Sequence, residues 1–234
     1  MIKRVVLSSS LLICLAVLIY GFIVFYDEGE AASTVTPLAG QVIVIDPGHG
    51  GVDGGADYSD DKEKMVTLNT ALLLRDYLQE AGAMVHLTRE GDYDLAPDDM
   101  KGYSKRKAHD IRERVKMIKD VEADLVVSVH LNSVTNESWQ GAQTFYYPEG
   151  DDNKQLAEAI QERLRDSVET PRQALAIDRV YILKHAETTG ALVEMGFLSN
   201  SEERALLTTK DYQRRLASSI YEGIIEYVAA NEAS

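Results

Sequence analysis

Short apolar runs alternate along the chain with segments whose apolar residues recur every three to four positions. The runs are rich in β-branched residues and end at glycine, proline or polar residues, which is typical of strands buried in a sheet. They predict strands over residues 42–45, 84–88, 125–131, 141–147, 180–183 and 191–197, with 141–147 at an edge. The periodic segments predict helices over residues 61–81, around Val115, over 156–168 and over 216–228.

This alternation of strands and helices predicts an α/β fold. The expected architecture is a mostly parallel, twisted sheet of about six strands with helices on both faces. A glycine-rich loop over residues 48–55 follows the first strand, and a polar loop over residues 91–104 follows the second. In a parallel sheet, both loops lie at the carboxyl edge of the strands, which is where sites form.

The first 26 residues follow a different pattern. Lys3 and Arg4 precede a long apolar run from Val5 to Tyr26, and acidic residues follow it. About 20 apolar residues span a bilayer as a helix, and basic residues before such a helix predict that the rest of the chain is exported. The predicted organisation is a membrane segment at 1–26, a linker at 27–40 and one globular domain at 41–231.

Two interpretations of the membrane segment remain open, an uncleaved signal-anchor and a cleaved signal peptide. The anchor is favoured because the apolar run is long for a signal peptide. The expected location is then the outer face of the cytoplasmic membrane, whereas cleavage would release the protein as a secreted one. A lipid-modified Cys14 is disfavoured because the bulky Ile13 precedes it.

Charge and cysteine content narrow the classes of function. The formal net charge is −14, which argues against a nucleic-acid partner because phosphate backbones need clustered basic residues. The single cysteine, Cys14, lies in the N-terminal apolar run, so neither an intrachain disulfide nor a cysteine-based metal site is predicted. Any metal must be held by His, Asp or Glu.

Four polar residues stand where predicted strands end or where a helix begins. His49 follows the first strand, His130 closes the third, Glu194 lies in the last, and Glu63 begins the helix after the glycine loop. Each alone also fits a hydrogen-bonded core histidine or a half-exposed carboxylate. The three at strand ends, His49, His130 and Glu194, together suggest a shared cation, because burying such groups without a partner is costly. Two imidazoles and one carboxylate form a known zinc set that leaves a position open for water.

Other polar residues are candidates for supporting roles. Asp46 and Asn132 lie beside the two histidines in sequence and are predicted to orient them, with capping of turns as the alternative. His185 follows the strand predicted at 180–183 and is a candidate for lining a substrate groove.

Four sequence blocks together resemble one family. They read VIDPGHGG at 44–51, KEK at 62–64, SVHLN at 128–132 and VEMGFLSN at 193–200. Their order and spacing over about residues 41–230 resemble the zinc-dependent N-acetylmuramoyl-L-alanine amidases of the amidase 3 family. A short single domain behind an N-terminal anchor is most similar to the germination-specific, spore-cortex members of that family.

The resemblance implies that His49, Glu63 and His130 bind Zn²⁺ and that Glu194 is the catalytic carboxylate. It implies peptidoglycan as the substrate, cut between the muramic acid lactyl group and L-Ala of the stem peptide. It further implies action in the forespore envelope ahead of muramic-δ-lactam formation, and an activating protein as a partner. Two alternatives remain open: another zinc peptidoglycan hydrolase such as a carboxypeptidase, and a non-catalytic wall-binding scaffold on the same fold.

Overall fold

The structure is a computed structural model that describes residues 15–20, 36–58 and 61–232. The chain divides into two units, Met1–Val35 and Thr36–Ser234. In the first unit residues 15–20 are helical and exposed, and the rest of the predicted membrane segment lies outside the described residues. In the described ranges, no helix combines the length and the apolar character needed to cross a bilayer.

The second unit is built around a six-stranded sheet. Its strands are β1 (Val42–Pro47), β4 (Met84–Leu87), β5 (Leu125–Asn132), β6 (Gln143–Tyr146), β7 (Leu175–Ala176) and β8 (Thr189–Phe197). Their order across the sheet is β4-β1-β5-β8-β6-β7. Strands β4, β1, β5 and β8 are parallel, whereas β6 runs antiparallel to β8. A separate antiparallel pair, β2 (Asp57–Tyr58) and β3 (Asp61–Lys62), follows the glycine loop.

Helices cover the two faces of this sheet. They are α1 (Glu63–Glu80), α2 (Tyr103–Asp120), α3 (Asp151–Val168), α4 (Tyr181–His185), α5 (Ser201–Leu207) and α6 (Lys210–Glu232). Successive side chains of a strand point to opposite faces. Ile43 and Ile45 of β1 therefore join the larger core with α1, α3 and α6, while Val44 joins a smaller core with α2 and α4. The predicted α/β fold with a mostly parallel sheet and helices on both faces is confirmed.

The prediction of a strand over residues 180–183 is wrong. Tyr181–His185 form helix α4, in which the neighbours Ile182 and Leu183 are both buried. In so short an apolar run the pattern does not separate a fully buried strand from a buried helical turn. The sixth strand of the sheet is the two-residue β7, which puts β6 one strand in from the edge it was predicted to occupy.

The register of the parallel strands places several polar residues side by side. Asp46 of β1 is the partner of Ser128 in β5, and His130 of β5 is the partner of Glu194 in β8. The register shifts between His130 and Asn132, where an irregularity ends the regular pairing. The carboxyl ends of β1, β5 and β8 thus bring polar side chains to one edge of the sheet.

Gly223 of α6 lies where that helix packs against α3. A Cβ atom at Gly223 would stand 2.5 Å from Ile160 Cα and 2.7 Å from Ile160 N. In an exposed helix, glycine to alanine stabilises by about 1 kcal/mol. Here we expect Gly223→Ala to lower the free energy of unfolding by about 1–3 kcal/mol in urea unfolding, because the methyl group forces two backbones apart.

The control is Gly54→Ala, since nothing lies within 4 Å of a Cβ built at Gly54. Its expected change in unfolding free energy is below about 0.5 kcal/mol. A stabilised Gly223→Ala variant would contradict the close helix contact.

Candidate metal centre

His49, Glu63 and His130 come together at the carboxyl edge of the sheet. Glu63 Oε1 lies 3.1 Å from His49 Nε2 and 3.0 Å from His130 Nδ1. One donor atom of each residue lies within 4.8 Å of the other two. Ligands bonded at 2.0–2.2 Å to a tetrahedral zinc stand about 3.3–3.6 Å apart. The spacing and the chemistry of these donors therefore fit a metal ion.

Local backbone geometry makes this approach possible. His49 has a left-handed φ of 65°, which is uncommon for a residue other than glycine. A Cβ atom at Gly48 would collide with the His130 imidazole, and one at Gly55 would stand 2.5 Å from Glu63 Oε2. The two glycines thus leave the space that the His130 ring and the Glu63 carboxylate occupy.

Glu63 is buried and held by backbone amides as well as by the histidines. Oε1 accepts a hydrogen bond from Leu131 N at 2.9 Å, and Oε2 accepts one from Ala56 N at 2.8 Å. Burial alone would raise the pKa of Glu63, but the His130 and His49 rings outweigh it and hold that pKa well below its usual range. The carboxylate is therefore a fixed negative charge between two imidazoles.

Asp53 is a site residue that the sequence analysis missed. Its Oδ2 lies 3.0 Å from His49 Nδ1 and 2.8 Å from Lys107 Nζ, and Tyr103 donates a hydrogen bond to its Oδ1. Burial opposes a charge on His49, but the carboxylates of Asp53 and Glu63 prevail and raise the pKa of His49 to about 9. A carboxylate behind a metal-binding histidine fixes the tautomer and orientation of the ring.

Asp46 contacts an arginine rather than a histidine. Its Oδ1 accepts hydrogen bonds from Thr88 Oγ1 at 2.6 Å and Arg114 Nη1 at 2.8 Å, and its Oδ2 accepts one from Ser128 Oγ at 2.6 Å. Burial opposes the charged form, but Arg114 and the two hydroxyls lower the pKa of Asp46 to about 2. Its connection to His49 runs through Arg114.

Two buried arginines hold the backbone of the loop that carries His49. Arg114 donates to Pro47 O at 2.8 Å and to His49 O at 2.6 Å. Arg89 donates to Pro47 O at 3.0 Å and to Gly48 O at 2.8 Å. A guanidinium carries five donors in a rigid fork, so one side chain can bind several carbonyl oxygens at once. These hydrogen bonds to the loop backbone fix the position of His49.

Two other predicted positions make their contacts with residues outside the cluster. Asn132 pairs with Phe197 across β5 and β8, and its carbonyl oxygen accepts a hydrogen bond from Leu198 N at 2.8 Å. His185 ends α4, and its ring lies 4.2 Å from the ring of Tyr181. Tyr181, and not His185, lines the cavity in front of the cluster.

Glu194 faces the cluster from β8, opposite His130 in the register. Its Oε2 is buried and has no hydrogen-bond partner among the described residues. Burial raises the pKa of Glu194 to about 7, against the opposing effect of His130. A buried carboxylate oxygen left without a partner is costly, which indicates that another group binds it during function.

A cavity of about 350 Å³ opens in front of these residues. His49, His130 and Glu194 line one part of it, and Arg179 and Tyr181 line another. Arg179 is exposed and forms no ion pair within the described part of the chain. The cavity therefore offers a metal-binding cluster, an unpaired acid and an available cation.

Comparison with known proteins decides the family. The family model described as Amidase_3, N-acetylmuramoyl-L-alanine amidase, matches residues 43–226. The chain belongs to this amidase family. The germination-specific N-acetylmuramoyl-L-alanine amidase of Bacillus subtilis is 51% identical over 192 residues, which is 82% of this chain and 81% of that protein.

Solved amidase structures share the fold. The CwlD amidase of Clostridioides difficile, solved in complex with the GerS lipoprotein, matches with a TM-score of 0.80 at 36% identity. That match covers 81% of this chain and 99% of the CwlD chain. The amidase AmiC2 of Nostoc punctiforme matches with a TM-score of 0.70 at 29% identity, over 81% of this chain and 97% of its own. The resemblance drawn from the four sequence blocks is confirmed.

We expect Asp46→Asn to lower the unfolding free energy of this amidase by about 3–5 kcal/mol at neutral pH, because it removes a partner of the buried Arg114. Urea unfolding measures the change.

The folded pKa of Asp46, about 2, lies below its ordinary 3.8. Its ionised form therefore stabilises the fold above pH 4 or so, and this contribution, about 2–3 kcal/mol, is lost as the pH falls towards 2.

The Asp46→Asn variant has no carboxylate to protonate at this position. Its free energy of unfolding should therefore fall less than that of the wild type as the pH is lowered from about 4 towards 2. The control is Asp120→Asn, which removes an exposed partner of Lys116 and should leave the free energy of unfolding nearly unchanged. If Asp46→Asn were as stable as this control, the buried ion pair between Asp46 and Arg114 would not stabilise the fold.

Proposed function

We propose that the chain is a zinc-dependent N-acetylmuramoyl-L-alanine amidase. It hydrolyses the amide between the lactyl group of N-acetylmuramic acid and the first L-Ala of the peptidoglycan stem peptide. The observation that carries this proposal is the His49, Glu63 and His130 donor cluster facing the unpaired carboxylate of Glu194. Membership of the amidase family supports the choice of bond.

In this proposal His49, Glu63 and His130 hold Zn²⁺. Two imidazoles and one carboxylate favour zinc over magnesium or calcium, which prefer oxygen ligands, and three protein ligands leave a position open. When bound, zinc polarises the amide carbonyl and lowers the pKa of a water molecule towards 7. Asp53 holds the His49 ring in the orientation that this requires.

Glu194 is the group that moves the proton. It takes a proton from the attacking water and later delivers it to the departing nitrogen of L-Ala. Its Oε2 has no hydrogen-bond partner among the described residues, and a pKa near 7 lets one carboxyl group act first as base and then as acid. Arg179 supports binding, since a stem peptide carries carboxylates and this guanidinium forms no ion pair with the described residues.

The proposal extends to where the protein works. The 51% identity to the germination-specific amidase supports a role in the spore cortex, ahead of muramic-δ-lactam formation. We place residues 41–231 as the catalytic domain, outside the cytoplasmic membrane, behind a linker at 27–40 and a signal-anchor at 1–26. The similarity to CwlD, which was solved with the GerS lipoprotein, supports an activating protein partner.

Glu194→Gln should reduce turnover by at least about 100-fold while zinc stays bound, because it removes the proton carrier and no ligand. Digestion of purified peptidoglycan and muropeptide analysis measure turnover, and elemental analysis of the same sample measures zinc. The amidase releases complete stem peptides with an L-Ala amino end, whereas a carboxypeptidase releases only terminal residues. Near-normal activity of the variant would remove Glu194 from the mechanism.

The control for Glu194→Gln is Glu202→Gln, which changes an exposed carboxylate at the start of α5. Its activity on peptidoglycan should equal that of the wild type. An activator should be included in both assays if the wild type alone is silent, so that the comparison is made on an active enzyme.

Asp53→Asn should weaken zinc binding by about 10- to 100-fold, because the amide no longer fixes the charge and tautomer of His49. Competition with a chelator measures the affinity, and circular dichroism checks that the fold is retained. Asp99→Asn, in the exposed loop before α2, should bind zinc as the wild type does. Equal affinities of the two variants would show that Asp53 does not support the metal.

A further inference from the structure

The single tryptophan of the chain, Trp139, is exposed. Trp139 lies in the loop between β5 and β6, and 51% of its surface is exposed. The guanidinium carbon of Arg172 lies 5.6 Å from the centre of its ring, and the ring of Phe197 meets it edge-on at 6.2 Å. Phe197 itself is buried, so the indole and the guanidinium form the outer layer of this group.

This aromatic group lies on the same face of the sheet as the proposed catalytic carboxylate. Gln143 of β6 is the direct partner of Glu194 in β8, and opposite residues of an antiparallel pair project to the same side. Arg172 Nη1 donates to Gln143 Oε1 at 3.1 Å, and its guanidinium carbon lies 4.6 Å from the Phe197 ring. Gln143 is thus the strand neighbour of Glu194, and Arg172 contacts both Gln143 and the two aromatic rings.

The loop that carries Trp139 is tied down by hydrogen bonds. Arg172 Nε donates to Gln140 O at 2.7 Å, and Asn200 Nδ2 donates to Glu137 O at 2.9 Å. A ring that is already fixed loses little conformational freedom when a ligand covers it. The exposed indole is therefore organised for binding before any ligand arrives.

The chemistry of the substrate indicates which of its parts, the glycan or the peptide, can bind to Trp139 and Arg172. Under the proposed function the substrate combines N-acetylated pyranose rings with a stem peptide of small and acidic residues. A flat indole matches the C–H face of a pyranose, and the adjacent guanidinium can donate to hydroxyl and acetamido oxygens. The peptide offers alanine methyl groups and carboxylates, and the carboxylates match Arg179 in the cavity instead.

We propose that Trp139 and Arg172, packed over Phe197, form a subsite for the N-acetylated glycan strand next to Glu194. The inference rests on the proposed amidase function for its biological meaning, but sugar binding itself requires no turnover. The two parts of the substrate then leave the scissile bond in different directions, the glycan across β6 and the peptide towards α4.

The experiment uses the sole tryptophan as the probe. The full chain, loaded with Zn²⁺, is titrated with N-acetylglucosamine oligomers, which carry sugar rings and no peptide. We expect a saturable change in Trp139 emission. Calorimetry should show the affinity for these oligomers falling roughly tenfold in Trp139→Ala and less in Trp139→Phe.

The matched control is Met84→Ala, which removes another exposed apolar side chain at the opposite edge of the sheet. It should keep the wild-type affinity for the oligomers. On polymeric peptidoglycan, Trp139→Ala should raise KM roughly tenfold and leave kcat within about twofold, because binding is lost and proton transfer is not.

Emission that does not change during the titration overturns the subsite, as does an equal oligomer affinity in Trp139→Ala and the wild type. A Trp139→Ala variant that binds oligomers normally but no longer binds an activating protein would assign the ring to a protein interface, against this proposal. If the wild type binds oligomers through Trp139 and releases no stem peptide from any peptidoglycan, the subsite stands and the amidase function falls.

Discussion

A single carboxylate oxygen organises the site. Glu63 Oε1 lies within 3.1 Å of a ring nitrogen on each of two histidines that come from different strand ends. Glu63 is the first residue of α1, where the helix dipole favours a negative charge. Because this charge is buried, the two rings must stay beside it or leave it uncompensated, which costs several kcal/mol. The glycine loop over residues 48–55 allows the two rings to approach the Glu63 carboxylate.

Charges of alternating sign extend outward from this carboxylate. His49 lies between Glu63 and Asp53, and Asp53 in turn contacts Lys107. With no metal bound, each member is next to a group of opposite charge, so each stabilises the ionised form of its neighbour. Glu194 differs from them because it forms no ion pair within the described residues, and its Oε2 has no hydrogen-bond partner there. This separation between paired charges and one unpaired acid matches the division between metal binding and proton transfer in the proposed mechanism.

The sequence predicted much of this site because strand ends are visible in a sequence. His49, His130 and Glu194 each interrupt or close a buried apolar run, and Glu63 begins a helix after a glycine loop. Asp53 was missed because its contact depends on the left-handed backbone of His49, which no periodic pattern reports. Helix α4 and strand β7 were missed for a similar reason, since elements of a few residues contain less than one period of any pattern.

The antiparallel strand β6 is connected differently from the parallel strands beside the proposed catalytic acid. Crossover helices cover the faces of parallel sheets. In the smaller core, the described residues come from β1, β5, α2 and α4 and the short turns beside them, and none comes from β6. The chain enters β6 through the loop that carries Trp139 and not through a crossover helix, and Arg172 contacts Gln143, the register partner of Glu194. Reversing one strand therefore places this loop, rather than a crossover helix, before the strand that pairs with β8.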